Sequence, residues 1–256
     1  MNTECMSLSR SIVLSALVGA ALLAPVRAAL AAAAPAKVQS AADVCFGKTP
    51  SDLQALISAC SVMIATNIKP DLKAAAHYNR GASYLKLGNN AKAGPDFDAA
   101  LKIMPDFARA LQARGSVHLA NGKLDLALKD LDRAIALDPK SSIAYNNRAL
   151  THMRNGNNEA AIADFTRSID LDPKDASAYG ARGSAHAAMG NKEQALADLD
   201  RAISMDPNQV VALINRGMLL AATGEKDKAK RDFEAVLALD PGNSTAKAQL
   251  AALTQS

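Results

Sequence analysis

Between residues 108 and 141 the apolar positions follow a helical spacing twice. Leu111, Ala113, Val117 and Leu119 recur within Arg109–Asn121, and Leu124, Ala127, Leu128, Leu131, Ala134 and Ile135 recur within Lys123–Leu137. Gly122 separates the two runs, and glycine suits the left-handed backbone that ends many helices. Pro139 closes the second run and biases Asp138 away from helical geometry. The segment is therefore predicted to be a helix–turn–helix hairpin. The same pattern recurs five times: Gly88, Gly122, Gly156, Gly190 and Gly224 lie 34 residues apart, as do Pro105, Pro139, Pro173, Pro207 and Pro241. A fixed period held this long means stacked copies of one unit, each unable to bury its apolar face alone.

Size alternates where paired helices must approach. Small residues recur at Gly81, Gly115, Ala149, Gly183 and Gly217, at Ala93, Ala127, Ala161, Ala195 and Ala229, and at Ala100, Ala134, Ser168, Ala202 and Val236. Large residues recur at Phe97, Leu131, Phe165, Leu199 and Phe233, so that facing helices interdigitate. This 34-residue pattern resembles the tetratricopeptide repeat. The resemblance covers five repeats, 74–107, 108–141, 142–175, 176–209 and 210–243. The family's opening aromatic position is only loosely kept, by His77, Leu111, Tyr145, Tyr179 and Leu213. The resemblance implies an all-α fold, a right-handed solenoid of stacked hairpins with a concave groove lined by the first helix of each repeat.

Outside the repeats, residues 29–51 read as an Ala-rich linker and entry segment, and 52–73 as a helical segment covering the first repeat. Residues 244–256 read as a capping helix. Within the first repeat, Gly94-Pro95 interrupts the second helix, which is expected to begin late, with Pro95 as its first residue.

Residues 1–28 carry the plan of an export signal: Arg10, an apolar run from Ile12 to Ala24, Pro25, then Val26-Arg27-Ala28, with cleavage expected after Ala28. An uncleaved anchor is the alternative. The expected location is the bacterial periplasm or beyond, with no membrane span after cleavage. Loss of Arg10, Arg27 and Glu4 leaves 27 basic and 24 acidic side chains, a mild balance that gives no reason to expect nucleic acid. Cys45 and Cys60 then remain, an even number for an oxidising compartment, which favours a disulfide over two thiols. Such a bond adds about 3 kcal/mol in the chain-entropy picture.

Two polar rows share the period. Arg80, Arg114, Arg148, Arg182 and Arg216 precede the small residue of each first helix, where the family more often has Leu. Asp96, Asp130, Asp164, Asp198 and Asp232 precede the large residue of each second helix. Each Arg is expected to pair with an Asp of its own or the adjoining hairpin, since the guanidinium fork matches a carboxylate; a row of anion-binding arginines is the other reading. His118, His152 and His186 also recur, and are read as filling the inward position held by Tyr84 in the first repeat rather than as metal ligands.

The resemblance places Tyr78, Lys86, Arg109, Gln112, Asn146, Leu150, Met153, Arg154 and Met218 along the groove, a lining suited to an extended peptide or amphipathic helix. Tyr78 and Ala82 stand where family members that hold acidic chaperone tails carry Lys and Asn, so that activity is not implied. No phosphate loop, zinc-helix or nucleophile motif appears, and neither catalysis nor a cofactor or metal is expected. A non-catalytic scaffold that binds a protein or peptide is the reading. Self-association, or service as an accessory subunit of an envelope enzyme or secretion complex, stands as the alternative.

Overall fold

Apolar runs of helical period, punctuated by glycine and proline, give thirteen helices and no strand among the described residues. The computed structural model describes residues 36–47 and 52–255, so the proposed signal segment lies outside them. The chain divides into two compact units, one ending at Pro139 and the other beginning at Lys140. In the first, α1 (Ala36–Phe46) and α2 (Leu53–Ala65) precede the hairpins α3–α4 (Pro70–Lys86, Asn90–Ile103) and α5–α6 (Ala108–Ala120, Leu124–Leu137). The second holds α7–α8 (Ser142–Arg154, Asn158–Leu171), α9–α10 (Ala176–Ala188, Lys192–Met205), α11–α12 (Val210–Ala222, Lys226–Leu239) and a final α13 (Ser244–Gln255).

The turn chemistry is the same in each hairpin. At the end of α5, Gly122 takes φ 71°. Its N–H bonds to Leu119 O at 3.0 Å, and Lys123 N reaches His118 O at 2.9 Å, which satisfies carbonyls that the helix end would orphan. Second helices start on side-chain caps where one is available: Asn89 accepts from Lys92 N and Asn157 from Ala160 N, both at 3.1 Å.

The large residues Phe97, Leu131, Phe165, Leu199 and Phe233 are fully buried. They sit against the small residues of their partner helices so closely that a Cβ at Gly183 would stand 2.9 Å from Leu199 Cγ and 3.1 Å from the Ala195 carbonyl oxygen.

Two expectations are corrected. Within residues 29–51, read as an Ala-rich linker and entry segment, α1 occupies Ala36–Phe46. That helix contains no glycine or proline, and Ala41, Ala42 and Cys45 are buried in a cluster with Leu56, Cys60 and Met63. Pro95 does not open the second helix of its repeat: α4 begins at Asn90 and Pro95 lies inside it. Pro95 itself is exposed, so the i−4 carbonyl it cannot serve lies on the solvent side, while Ala93 and Phe97 pack inward and hold the helix.

Candidate functional site

Each first helix presents two functional stripes. One carries the arginines. The ladder carboxylates Asp96, Asp130, Asp164, Asp198 and Asp232 are all buried. Each is gripped by the arginine of its own hairpin in a two-bond fork: Arg80 Nε and Nη2 donate to Asp96 at 2.8 and 2.7 Å, Arg114 to Asp130 at 2.7 and 2.8 Å, and Arg148 to Asp164 at 2.7 Å twice. Arg182 holds Asp198 at 2.7 and 2.8 Å, and Arg216 holds Asp232 at 2.9 and 2.6 Å. These hydrogen bonds to the carboxylates raise the pKa of Arg80, Arg114, Arg182 and Arg216.

A third arm extends to the helix before. Within the first unit, Arg80 Nη1 reaches Ser61 Oγ (3.0 Å) on α2 and Arg114 Nη1 reaches Asp98 (2.8 Å) on α4. Within the second, Arg182 Nη1 reaches Thr166 Oγ1 (3.1 Å) on α8 and Arg216 Nη1 reaches Asp200 (2.7 Å) on α10. One guanidinium thus fixes both the hairpin and its stacking on the previous one. These arginines are committed to structure.

The histidines adjoin the same carboxylates, a juxtaposition that the row of histidines alone did not announce. His118 Nε2 lies 3.7 Å from Asp130, and His152 Nε2 lies 3.9 Å from Asp164. His77, one turn before Arg80 on α3, bonds Asp96 at 2.9 Å. The sequence does hold a signal: His118 and His152 stand four residues after a ladder arginine, hence on its face. Among the described residues no group of three His, Cys, Asp or Glu is placed to hold a metal.

Burial lowers the pKa of His118 and His186, outweighing the pull of Asp130 and Asp198 respectively. A depressed folded-state pKa means that the unfolded chain takes up the proton first. Their contribution to stability is then full above about pH 6.5 and falls as the pH drops below it. Melting temperature is expected to decline between pH 7.5 and 5.5. The double variant His118→Tyr/His186→Tyr, which copies Tyr84 of the first repeat, is expected to show a shallower decline in the same scan. An equal slope in both proteins would mean that these histidines do not set the pH dependence.

The other stripe is the candidate binding face, and here the expected lining divides. Tyr78 is not available to a partner: it is 3% exposed, with its ring 5.1 Å from that of Phe107 and 6.1 Å from that of Phe97. Burial raises its pKa. Asn146 is likewise buried, donating to Asp175 at 3.3 Å. Their position in the repeat faces inward, so a large or polar residue placed there joins the packing. In the first unit Lys86 and Arg109 are exposed and Gln112 is half-buried. In the second, Leu150 and Met153 are half-buried on α7, Arg154 is exposed, and Met218 on α11 is 44% exposed. Between them in the period, α9 offers only Ser184 and Ala187. The second unit thus carries an apolar face with small side chains at its middle repeat.

A row of asparagines also emerges only from the structure. Asn79, Asn147 and Asn215 recur at twice the repeat length and are wholly or partly buried. Asn79 Nδ2 donates to Cys45 O at 2.8 Å and Asn215 Nδ2 to Ser184 Oγ at 2.7 Å, tying one first helix to the first helix before it.

Models of the tetratricopeptide repeat match residues 74–107, 112–176, 150–214 and 210–243. The chain belongs to the tetratricopeptide repeat family. Proteins of this family are in general non-catalytic modules that bind protein or peptide partners, and the chain has the fold of such a scaffold. No curated protein sequence matches it. Among solved structures it is similar to PilF of Pseudomonas aeruginosa, with 21% identity over 73% of this chain and 85% of that one and a TM-score of 0.66. It is also similar to a chain of the Cut9–Hcn1 hetero-tetramer of the APC/C, with 16% identity, 85% of this chain, 42% of that one and a TM-score of 0.74. A third likeness is to YrrB, described as a tetratricopeptide repeat protein with an unusual peptide-binding site, with 19% identity over 75% of this chain and 97% of that one and a TM-score of 0.58. At these identities the likeness concerns the fold.

Proposed function

We propose that the protein is exported and serves in the bacterial cell envelope as a non-catalytic scaffold that holds a protein or peptide on the exposed faces of its first helices. The observation that carries this reading is the division of labour on those helices. The Arg–Asp forks occupy one stripe, while Leu150, Met153 and Met218 of the second unit leave apolar surface open on another. Methionine side chains adapt to varied apolar partners, and Arg154 sets a positive charge at the rim. An amphipathic helix or an extended apolar segment with an acidic group suits such a surface. YrrB, similar in fold, is described as having a peptide-binding site.

Export is supported by the Arg10, Ile12–Ala24 and Val26-Arg27-Ala28 pattern and by the Cys45–Cys60 disulfide, which is at home in an oxidising compartment. Among the described residues no helix is long and apolar enough to cross a membrane.

The test is a pull-down from envelope extract with the wild-type protein and with Leu150→Glu/Met218→Glu, after circular dichroism shows both equally helical. A protein retained by the wild type and lost, by about tenfold or more, from the variant is the expected result, since a charge facing an apolar partner is left unpaired. Equal retention would move binding off this face. If the only protein retained is the chain itself, self-association takes the place of scaffolding.

A further inference from the structure

We propose that the Cys45–Cys60 disulfide is a redox latch that seats α1 on α2 and the first repeat, and that its reduction releases α1 while the repeats behind it stay folded. The bond closes a separation of 15 residues between Cα atoms 4.9 Å apart. It joins two helices that form a hairpin of their own ahead of the repeats. The buried set on α2, Leu56, Ala59, Cys60 and Met63, has the spacing of Ala93, Asp96, Phe97 and Ala100 on α4. In that register Ala59 stands where α4 has its ladder carboxylate and Cys60 where it has Phe97. This hairpin therefore lacks the acidic half of the Arg–Asp fork, and a covalent bond stands in place of the large side chain seated on a small one.

The apolar part of the remaining α1 interface is small among the described side chains. Ala41, Ala42 and Cys45 are the buried ones, all small, with Val38, Val44 and Phe46 partly buried beside them. At its C-terminal end the Cys45 carbonyl accepts the buried Asn79 amide at 2.8 Å, a bond that depends on α1 remaining in place. Apolar area of this size is a weak hold beside a fully buried Phe–Gly crossing. Opening the cross-link returns the loop-closure entropy that had favoured the seated helix.

The chemistry needs a dithiol. A thiolate of the reductant attacks one sulfur, the Sγ–Sγ bond breaks, and a mixed disulfide forms. The cysteine not attacked leaves as a thiolate, and the reductant's second thiol then expels the attacked cysteine from the mixed disulfide. Two electrons and two protons pass to Cys45 and Cys60, leaving two thiols, and the reductant leaves as a disulfide. Both cysteines are buried, at 1% and 0% exposure, so attack requires α1 to lift first and the latch yields at the rate of that local opening. Once released, α1 uncovers Leu56, Met63 and Ala76, which share its core cluster.

Hydrogen exchange by mass spectrometry on the purified chain, oxidised and then reduced with dithiothreitol, tests this. Residues 38–46 are expected to exchange about a hundredfold faster after reduction, the factor that corresponds to opening a loop of this length. Helices α4 to α12 are expected to keep their protection. Cys45→Ser/Cys60→Ser without reductant is expected to reproduce the reduced pattern, which ties the effect to the bond. Protection of 38–46 that stays within about twofold in either form would overturn the proposal. So would a loss that spreads through α4–α6, because the bond would then support the unit as a whole.

Discussion

Asp164→Leu is expected to be among the most damaging single substitutions in the second unit, costing about 3 kcal/mol and lowering the melting temperature by about 10 °C. Asp164 is buried and accepts both Arg148 bonds at 2.7 Å. Its removal takes both fork acceptors from an Arg148 side chain that is four-fifths buried and sets a leucine in their place. The penalty comes from a desolvated charge that has lost its carboxylate rather than from the worth of the pair. Arg148→Leu/Asp164→Leu is therefore expected to recover most of the loss, as replacing both halves of a buried pair commonly does. Because a repeat is stabilised by its neighbours, damage at one hairpin lowers the stability of the hairpins stacked on it. Thermal melts followed by circular dichroism check both variants. If Asp164→Leu melts with the wild type, the ladder is ornamental; if the double variant melts with the single, the arginine contributes by some other contact.

Gly183→Val is expected to cost about 3 kcal/mol, at the upper end for overpacking. A β-carbon there would meet Leu199 Cγ at 2.9 Å, the Ala195 carbonyl at 3.1 Å and Asp198 Cβ at 3.2 Å. The side chain of Leu199 can turn aside, but the carbonyl belongs to the α10 backbone and cannot move without separating the two helices. Separation would stretch the neighbouring Arg182–Asp198 fork as well. The third repeat sets the limit of tolerance, since Ala149 occupies the corresponding site opposite Phe165. Gly183→Ala makes the same β-carbon contacts but lacks the two γ-methyls of valine, so it is expected to lose less than Gly183→Val, with the helix propensity of alanine offsetting part of the contact. Urea denaturation of the two variants beside the wild type separates these outcomes; equal loss for Ala and Val would mean that volume at this crossing is not the governing quantity.

The hairpins were legible because each boundary has a local cause. Gly122 ends a helix by its own backbone freedom, Pro139 blocks the next residues, and the Phe165–Ala149 and Leu199–Gly183 contacts repeat at fixed spacing. The ladder was legible in type, since a recurring Arg and a recurring Asp on packed faces call for each other. Its third arm was not read, although a signal was present: Asp98, Asp132 and Asp200 recur at the period with Thr166 between them, two residues after each ladder Asp, and as exposed side chains they read as solvated surface, while Ser61 before the first repeat breaks the pattern. Tyr78 and Asn146 were misplaced because polarity or an aromatic ring reads as a binding residue, whereas here the neighbouring hairpin absorbs each. Helix α1 was missed because its alanines give little hydrophobic periodicity. Pro95 misled because it was judged by its effect on an isolated helix, not on one whose Ala93 and Phe97 are held by a partner.

The most direct test of the scaffold reading is site-specific photocross-linking in cells, with a benzophenone amino acid placed at Met218 on the open face of α11 and, separately, at the exposed Lys230 on α12. An adduct of defined mass from position 218 and none from 230 is the expected result. An adduct from 230 alone, or the same adduct from both, would contradict binding on the first-helix face.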